Sequence, residues 1–190
     1  MSTGTADPRV IETLDQLGLA YEVLACDPDL ADTAAFCEAY GVPLDRSANT
    51  ILVSSRRPPG RLAACIVLAS DRLDVNGEVR RRLDVKKASF ASAEETVSTT
   101  GMMIGGVTPF GLEENLPIWV DAEVMKRDWI ILGAGSRSAK VKVSPASLNA
   151  LVNVSVIEGL ARPALVGEDT RATEESPKQE EVPDDPNAGE

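Results

Sequence analysis

At 190 residues, 43% of them hydrophobic, the chain suits one domain with room for a sizeable core. It has no histidine, which excludes Ser-His-Asp and Cys-His catalysis, histidine general bases and the usual histidine metal sites. The net charge of −11 argues against nonspecific nucleic-acid binding. That charge is uneven: residues 168–190 hold nine acids and two bases, a net of −7, leaving 21 acids and 17 bases, a net of −4, for the rest.

No apolar run approaches the roughly 20 residues of a membrane span, and the first residues lack a basic stretch followed by an apolar one. The expectation is a cytoplasmic protein that does not contact a membrane. Cys26, Cys37 and Cys65 are odd in number and form no C-x-x-C pair, so neither disulfides nor a metal is expected. Cys65, within "LAACIVLA", reads as a small buried apolar residue.

In chain order, Asp7-Pro8 opens a helix as cap and first-turn proline, with Val10, Ile11, Leu14 and Leu17 as its apolar stripe and Gly18 as its end. "AYEVLA" (20–25) is a short strand. "TAAFCEAYG" (33–41) is a short helix closed by Gly41. "NTILVSS" (49–55) and "RLAACIVLAS" (61–70) are strands separated by the turn "RRPPG". Asp74 to Leu83 reads as one polar helix with Val75, Val79 and Leu83 four residues apart. "SAEETVSTT" (92–100) starts with the capping box Ser92 and Glu95 and ends at Gly101. "PIWVDA" (117–122), "DWIILGAG" (128–135) and "AKVKVS" (139–144) are strands, and Ser144-Pro145 opens a last helix through about Val152. Helices interspersed with strands on short turns indicate a mixed α+β fold, a curved mixed sheet flanked by helices. The domain spans residues 1–163. Residues 164–190, rich in Glu, Asp and Pro, read as an acidic disordered tail.

The segment "GMMIGGVTPFG" (101–111) holds four glycines and a proline. It is either a helix C-cap followed by a bulged strand and a turn, or a cradle in which backbone amides approach a ligand. It is neither a Walker loop nor a dinucleotide fingerprint. On the cradle reading, alanine at Gly105 or Gly106 should abolish ligand binding with modest loss of stability. "LGAGSRSAK" (132–140) is a second glycine-serine turn, by default a hairpin loop, placed so that both loops could rim one pocket. The five bases of "RRRLDVKK" (80–87) read as a solvated helix face, although they could hold phosphate, as could Arg56, Arg57 and Arg61. Asp121 reads as a strand-end cap of the following turn.

Several of these segments, in order, resemble the YbaK/prolyl-tRNA synthetase-associated domain family, whose members hydrolyse mischarged aminoacyl-tRNA. The resemblance runs through "DTAAFCEAYGVP" (32–43), "NTILVSS", "LASDRLDVNGEVRRRL" (68–83), "ASFASAEETVSTTGMMIGGVTPFGL" (88–112), "LPIWVDAEV" and "WIILGAGSRSAKVKVSPASL", about residues 8 to 152. It implies that the G-x-x-x-P loop at Gly105, Gly106, Val107, Thr108 and Pro109 lies at the pocket, where main chain holds the aminoacyl ester and terminal ribose. Gly101, Gly135 and Ser136 are implied as further substrate-binding positions. It also implies catalysis without a cofactor, with the acceptor end of aminoacyl-tRNA as partner and an aminoacyl-tRNA synthetase as a candidate second one.

Two positions depart from the family pattern. Where members carry a functional lysine, this chain has Asn49, which offers a hydrogen bond but no charge. The family's frequent early histidine is Asp32. Lys86, Lys87 and Lys140 are the candidates to replace the missing cation. Two outcomes stay open: a competent deacylase with altered specificity, or a weakened member that binds an aminoacyl or nucleotide ligand. A deacylase should gather Arg80, Arg81, Arg82 and Lys87, or Arg56 and Arg57, at the pocket mouth.

Overall fold

The computed structural model describes residues 4–164. The expected tail therefore lies outside the described residues apart from Ala164, whose amide donates to the Ser70 carbonyl at 3.1 Å.

Helix α1 (Pro8–Gln16) is capped by the Asp7 carboxylate and buries Val10 and Leu14. Strand β1 (Tyr21–Ala25) leads to α2 (Thr33–Tyr40), which ends at Gly41 in the left-handed conformation, φ 66°. Strands β2 (Ala48–Arg57) and β3 (Pro59–Leu68) form a hairpin whose strands run further into the proline turn than the sequence indicates. Short β4 (Asp71–Leu73) follows. The stretch expected as one helix from Asp74 is instead a π-helical turn (Val75–Val79) running into a single α-turn, α3 (Arg80–Leu83). The Asp74 carboxylate accepts from the Gly77 and Glu78 amides and so fixes this start. Val75, Val79 and Leu83 are nonetheless all buried, because four-residue spacing keeps them on one face.

Strand β5 (Lys87–Phe90) precedes α4 (Ala93–Thr100), which carries the full capping box of Ser92 and Glu95. No strand forms between α4 and β6 (Ile118–Asp121), so the loop after Gly101 is not the bulged strand considered above. Asp121 caps the short helix α5 (Ala122–Met125), and its second carboxylate oxygen accepts from the Ala161 amide at 2.8 Å. Strands β7 (Ile130–Gly133) and β8 (Ala139–Val143) pair antiparallel. The segment expected as a final helix is a 3-10 helix ending at Ala150, followed by β9 (Val154–Ile157) and β10 (Ala161–Pro163).

The larger sheet is five-stranded and mixed, in the order β5-β2-β3-β6-β9. Its β5, β2 and β3 are antiparallel neighbours, while β3-β6 and β6-β9 are parallel. A second, antiparallel sheet has the order β1-β8-β7, and β4 pairs with β10. A parallel bridge between Ser47 and Ile131 joins the start of β2 to β7.

Strand β3 explains its own apolar run: alternate side chains serve two cores. Ala64, Ile66 and Leu68 face the main core with α1, β7 and β8. Ala63, Cys65 and Val67 face a second core closed by Leu73, Val79, Leu83 and Leu160. Burial pushes the Cys65 thiol up to about 12. A third, small cluster of Cys26, Ala31, Phe36, Cys37 and Ile131 lies under α2. Among the described residues no helix is long and apolar enough to cross a membrane.

Candidate functional site

The start of α2 is where the chemistry-bearing side chains meet. Asp32 has the N-cap position but makes no capping hydrogen bond. Its carboxylate accepts instead from Arg137 Nη1 at 3.1 Å. Arg137 also donates to the Ile104 carbonyl at 3.1 Å and, through Nε, to the Pro28 carbonyl at 2.9 Å. One guanidinium thus ties together the segment before α2, the cap of α2 and the glycine loop.

Half-buried Asn49 sits near the start of β2, opposite Val67. Its Oδ1 accepts from the Thr33 hydroxyl at 2.6 Å, so its amide also faces the start of α2. Lys140 reaches the same place from β8. Its ammonium donates to the Ala31 carbonyl at 2.6 Å and to the Gly105 carbonyl at 2.7 Å. It lies 5.4 Å from the centre of the Phe36 ring and is 5% exposed. Burial holds the lysine below its ordinary value, with Arg137 acting in the same sense and Asp32 opposing.

The two glycine loops are joined through their backbones. The Gly135 amide donates to the Gly106 carbonyl at 2.7 Å and the Met103 amide to the Gly135 carbonyl at 3.1 Å. A turn within the first loop is closed by the Gly106 amide on the Met103 carbonyl at 2.9 Å. A Cβ on Gly106 would collide with the Ser136 backbone, so the side-chain space at this residue is filled by the chain itself. Gly105 has φ +83°, and a Cβ there would lie 2.7 Å from Arg137 Nη1. The modest stability loss expected for alanine at Gly106 is therefore corrected: the obstacle is backbone, which cannot swing aside.

The other expected positions are distributed as follows. Gly101 is the left-handed C-cap of α4, and its carbonyl accepts from Arg9 Nη2 at 2.9 Å. The Ser136 hydroxyl donates to the Thr5 carbonyl at 2.6 Å. Val107 is half-buried, and Thr108 and Pro109 are buried. The Thr108 side chain is 0% exposed and its hydroxyl has no hydrogen-bond partner among the described residues. Lys140, one of three candidate lysines, is at the site, whereas Lys87 begins β5, which pairs with the far end of β2. Arg137 and Thr33 carry no sequence signal of their own. Only the folded chain brings residues 28, 32 and 104 within reach of one guanidinium.

The arginine clusters are elsewhere. Arg56 is seven residues along β2 from Asn49, roughly 23 Å at strand rise. Its guanidinium is held by Glu95 at 3.0 Å, Ser89 and the Phe90 carbonyl. There Ser54, Arg56, Arg61, Glu95 and Ser98 line a cavity of about 380 Å³. Arg81 and Arg82 both pair with Glu78, the solvated face that their spacing indicates.

The five-stranded mixed sheet with its flanking helices defines the class, a mixed α+β domain. The chain belongs to the aminoacyl-tRNA editing domain family, which matches residues 27–151. It is similar to YwhH of Bacillus subtilis (strain 168), an uncharacterized protein, at 31% identity over 112 residues, 59% of this chain and 69% of that one. It is also similar to EbsC of Enterococcus faecalis (strain ATCC 700802 / V583), named as a candidate Cys-tRNA(Pro)/Cys-tRNA(Cys) deacylase. That identity is 24% over 129 residues, 68% of this chain and 77% of EbsC. Among solved structures, hypothetical protein APE2540 superposes with a TM-score of 0.72 at 24% identity, over 81% of this chain and 99% of its own. A candidate trans-editing enzyme for prolyl tRNA synthetase gives 0.69 at 22%, over 81% and 98%. At these identities the two structures speak to the fold.

Proposed function

We propose that the chain is a trans-editing deacylase that hydrolyses the ester of a mischarged aminoacyl-tRNA, taking the acceptor end of the tRNA as substrate. The observation that carries this reading is the convergence of Asn49, Lys140 and Arg137 on the start of α2 and on the Gly105 carbonyl's loop. In the reaction a water oxygen adds to the ester carbonyl carbon, and the carbonyl oxygen becomes an oxyanion. The bond to the ribose oxygen then breaks, that oxygen takes a proton, and the amino acid leaves as its carboxylate. The step that needs help is the oxyanion, and preorganised amides beside a buried cation stabilise developing negative charge. With no histidine in the chain, the proton is moved by water and by the substrate's own hydroxyl or amine.

Asn49 supplies an amide rather than a charge at the wall of this site, so it sets specificity more than it drives the chemistry. Replacement by alanine is expected to lower turnover about tenfold, on the scale of one lost orienting hydrogen bond. Replacement by lysine is expected to change the preferred amino acid. The measurement is deacylation by the native, Asn49→Ala and Asn49→Lys proteins across one panel of mischarged tRNAs. Equal rates in all three would remove Asn49 from the site. The second reading is a member that binds an aminoacyl or nucleotide ligand without turnover. It is favoured by the neutral Asn49 and by the engagement of the Lys140 ammonium with two carbonyls. On that reading the native protein binds a non-hydrolysable aminoacyl-adenosine and hydrolyses nothing, and Asn49→Lys gains activity.

A further inference from the structure

Lys140 is an expensive residue for its place. It lies on β8 between two positions, Ala139 and Val141, that enter the main core, and is itself 5% exposed. A buried ammonium gives up its hydration, and an apolar side chain in such a place commonly leaves a fold as stable or more so. Fold stability alone therefore gives no reason for a lysine here. Its partners are also unusual, because both are neutral main-chain carbonyls, on two segments about 74 residues apart in sequence, Ala31 and Gly105. The charged groups around it are Asp32 and Arg137, with the thiols Cys26 and Cys37 on the α2 side. Asp32 is already engaged by Arg137 at 3.1 Å. Counting Asp32 as −1 and Arg137 and Lys140 as +1 each, the cluster is left with one net positive charge. That charge is buried against the glycine loop in a protein of net charge −11.

We propose that Lys140 is the positioning residue of the deacylation site, clamping the Gly105 carbonyl to the Ala31 carbonyl and so fixing the glycine loop against the start of α2. The proposal rests on the deacylase reading for its catalytic part, while the clamp itself is a property of the free protein. A Lys140 clamp predicts that the loop loosens locally when the ammonium is removed, with the rest of the fold intact. The catalytic consequence falls on kcat, because a displaced loop affects the transition state more than encounter.

The test uses the full chain carrying Lys140→Met, Lys140→Gln or Lys140→Arg. Amide hydrogen exchange is read residue by residue across 104–108 and, as control, in β3. Single-turnover and steady-state deacylation are read on the best tRNA of the panel. Lys140→Met is expected to speed exchange at 104–108 at least tenfold with β3 unchanged, and to lower kcat at least tenfold with a smaller change in KM. Lys140→Arg, which restores a cationic donor, is expected to recover part of both, and Lys140→Gln less. If Lys140→Met does not fold, the ordering native, Arg, Gln carries the same expectation. The proposal is overturned if exchange at 104–108 stays native in the folded variants, or if the loop loosens while kcat and KM both hold. Absence of deacylation by the native protein on every tRNA would count against the functional reading, and the exchange arm would still decide the clamp.

Discussion

At the scale of single residues, the glycines of the loop answer two different demands. Gly106 is glycine because the Ser136 backbone occupies the place of its Cβ. Gly105 is glycine because φ +83° strains any L side chain, and its neighbour there is the movable end of Arg137. Gly106→Ala is therefore expected to destabilise the protein by about 1–3 kcal/mol, the usual cost of overpacking against something that cannot yield. Gly105→Ala should cost less, about 1–2 kcal/mol from the backbone alone, while pushing Arg137 off Asp32. Urea unfolding of the two variants checks this order. A Gly106→Ala protein as stable as native would mean that the two loops do not pack as described. A loss of activity in Gly106→Ala says little about ligand clearance unless its stability is measured beside it.

At the scale of elements, α4 sets the angle at which the chain enters the glycine loop. Its start is fixed by the reciprocal bonds of Ser92 and Glu95, at 3.1 Å and 2.8 Å. Glu95 also receives both terminal nitrogens of Arg56. These bonds, that from the Ser92 amide first, hold the Glu95 carboxyl below the ordinary glutamate value. A depressed folded value means that the stabilisation is present above the unfolded glutamate value, about 4.3, and is lost as pH falls through the folded one. Ser92→Ala is expected to cost about 1 kcal/mol, as a lost N-cap does. Glu95→Gln should lower Tm at pH 7, and its gap from native should close towards pH 3. A gap that persists unchanged at pH 3 would show that the charge of Glu95 contributes nothing.

At the scale of the whole molecule, the distribution of charge matters more than its total. Residues 168–190 carry −7 of the net −11. Because their sequence is rich in acids and poor in apolar residues, deleting them is expected to leave Tm nearly unchanged. It should also raise affinity for tRNA at low salt, because like charge is removed from the approach of a polyanion. A large fall in Tm on truncation would overturn this. Arg56 lies about one strand-length from Asn49 and is paired with Glu95, while Arg81 and Arg82 are paired with Glu78.

What the sequence determined by itself was local. The Asp7-Pro8 start, the Gly41 and Gly101 stops and the capping box at Ser92 are decided by a few adjacent residues and their backbone preferences. The long strands β2 and β3 were legible because their apolar runs exceed any turn signal inside them. The order of motifs carried the family. The short strands β4, β5, β9 and β10 were not legible: three or four residues such as "KASF" become strand only because a neighbour offers its hydrogen bonds. The split of 74–83 depended on the Asp74 carboxylate, and the glycine loop's conformation on a second loop some 30 residues away. The site was half legible. Asn49 and the loop stood out by comparison with a pattern, and Lys140 was one of three equivalent lysines. Its selection, and the recruitment of Arg137 and Thr33, follow from β8 passing beneath the start of α2. Burial then turns one ordinary strand lysine into a charge held against main-chain carbonyls, and alternation along "AKVKV" cannot distinguish Lys140 from Lys142.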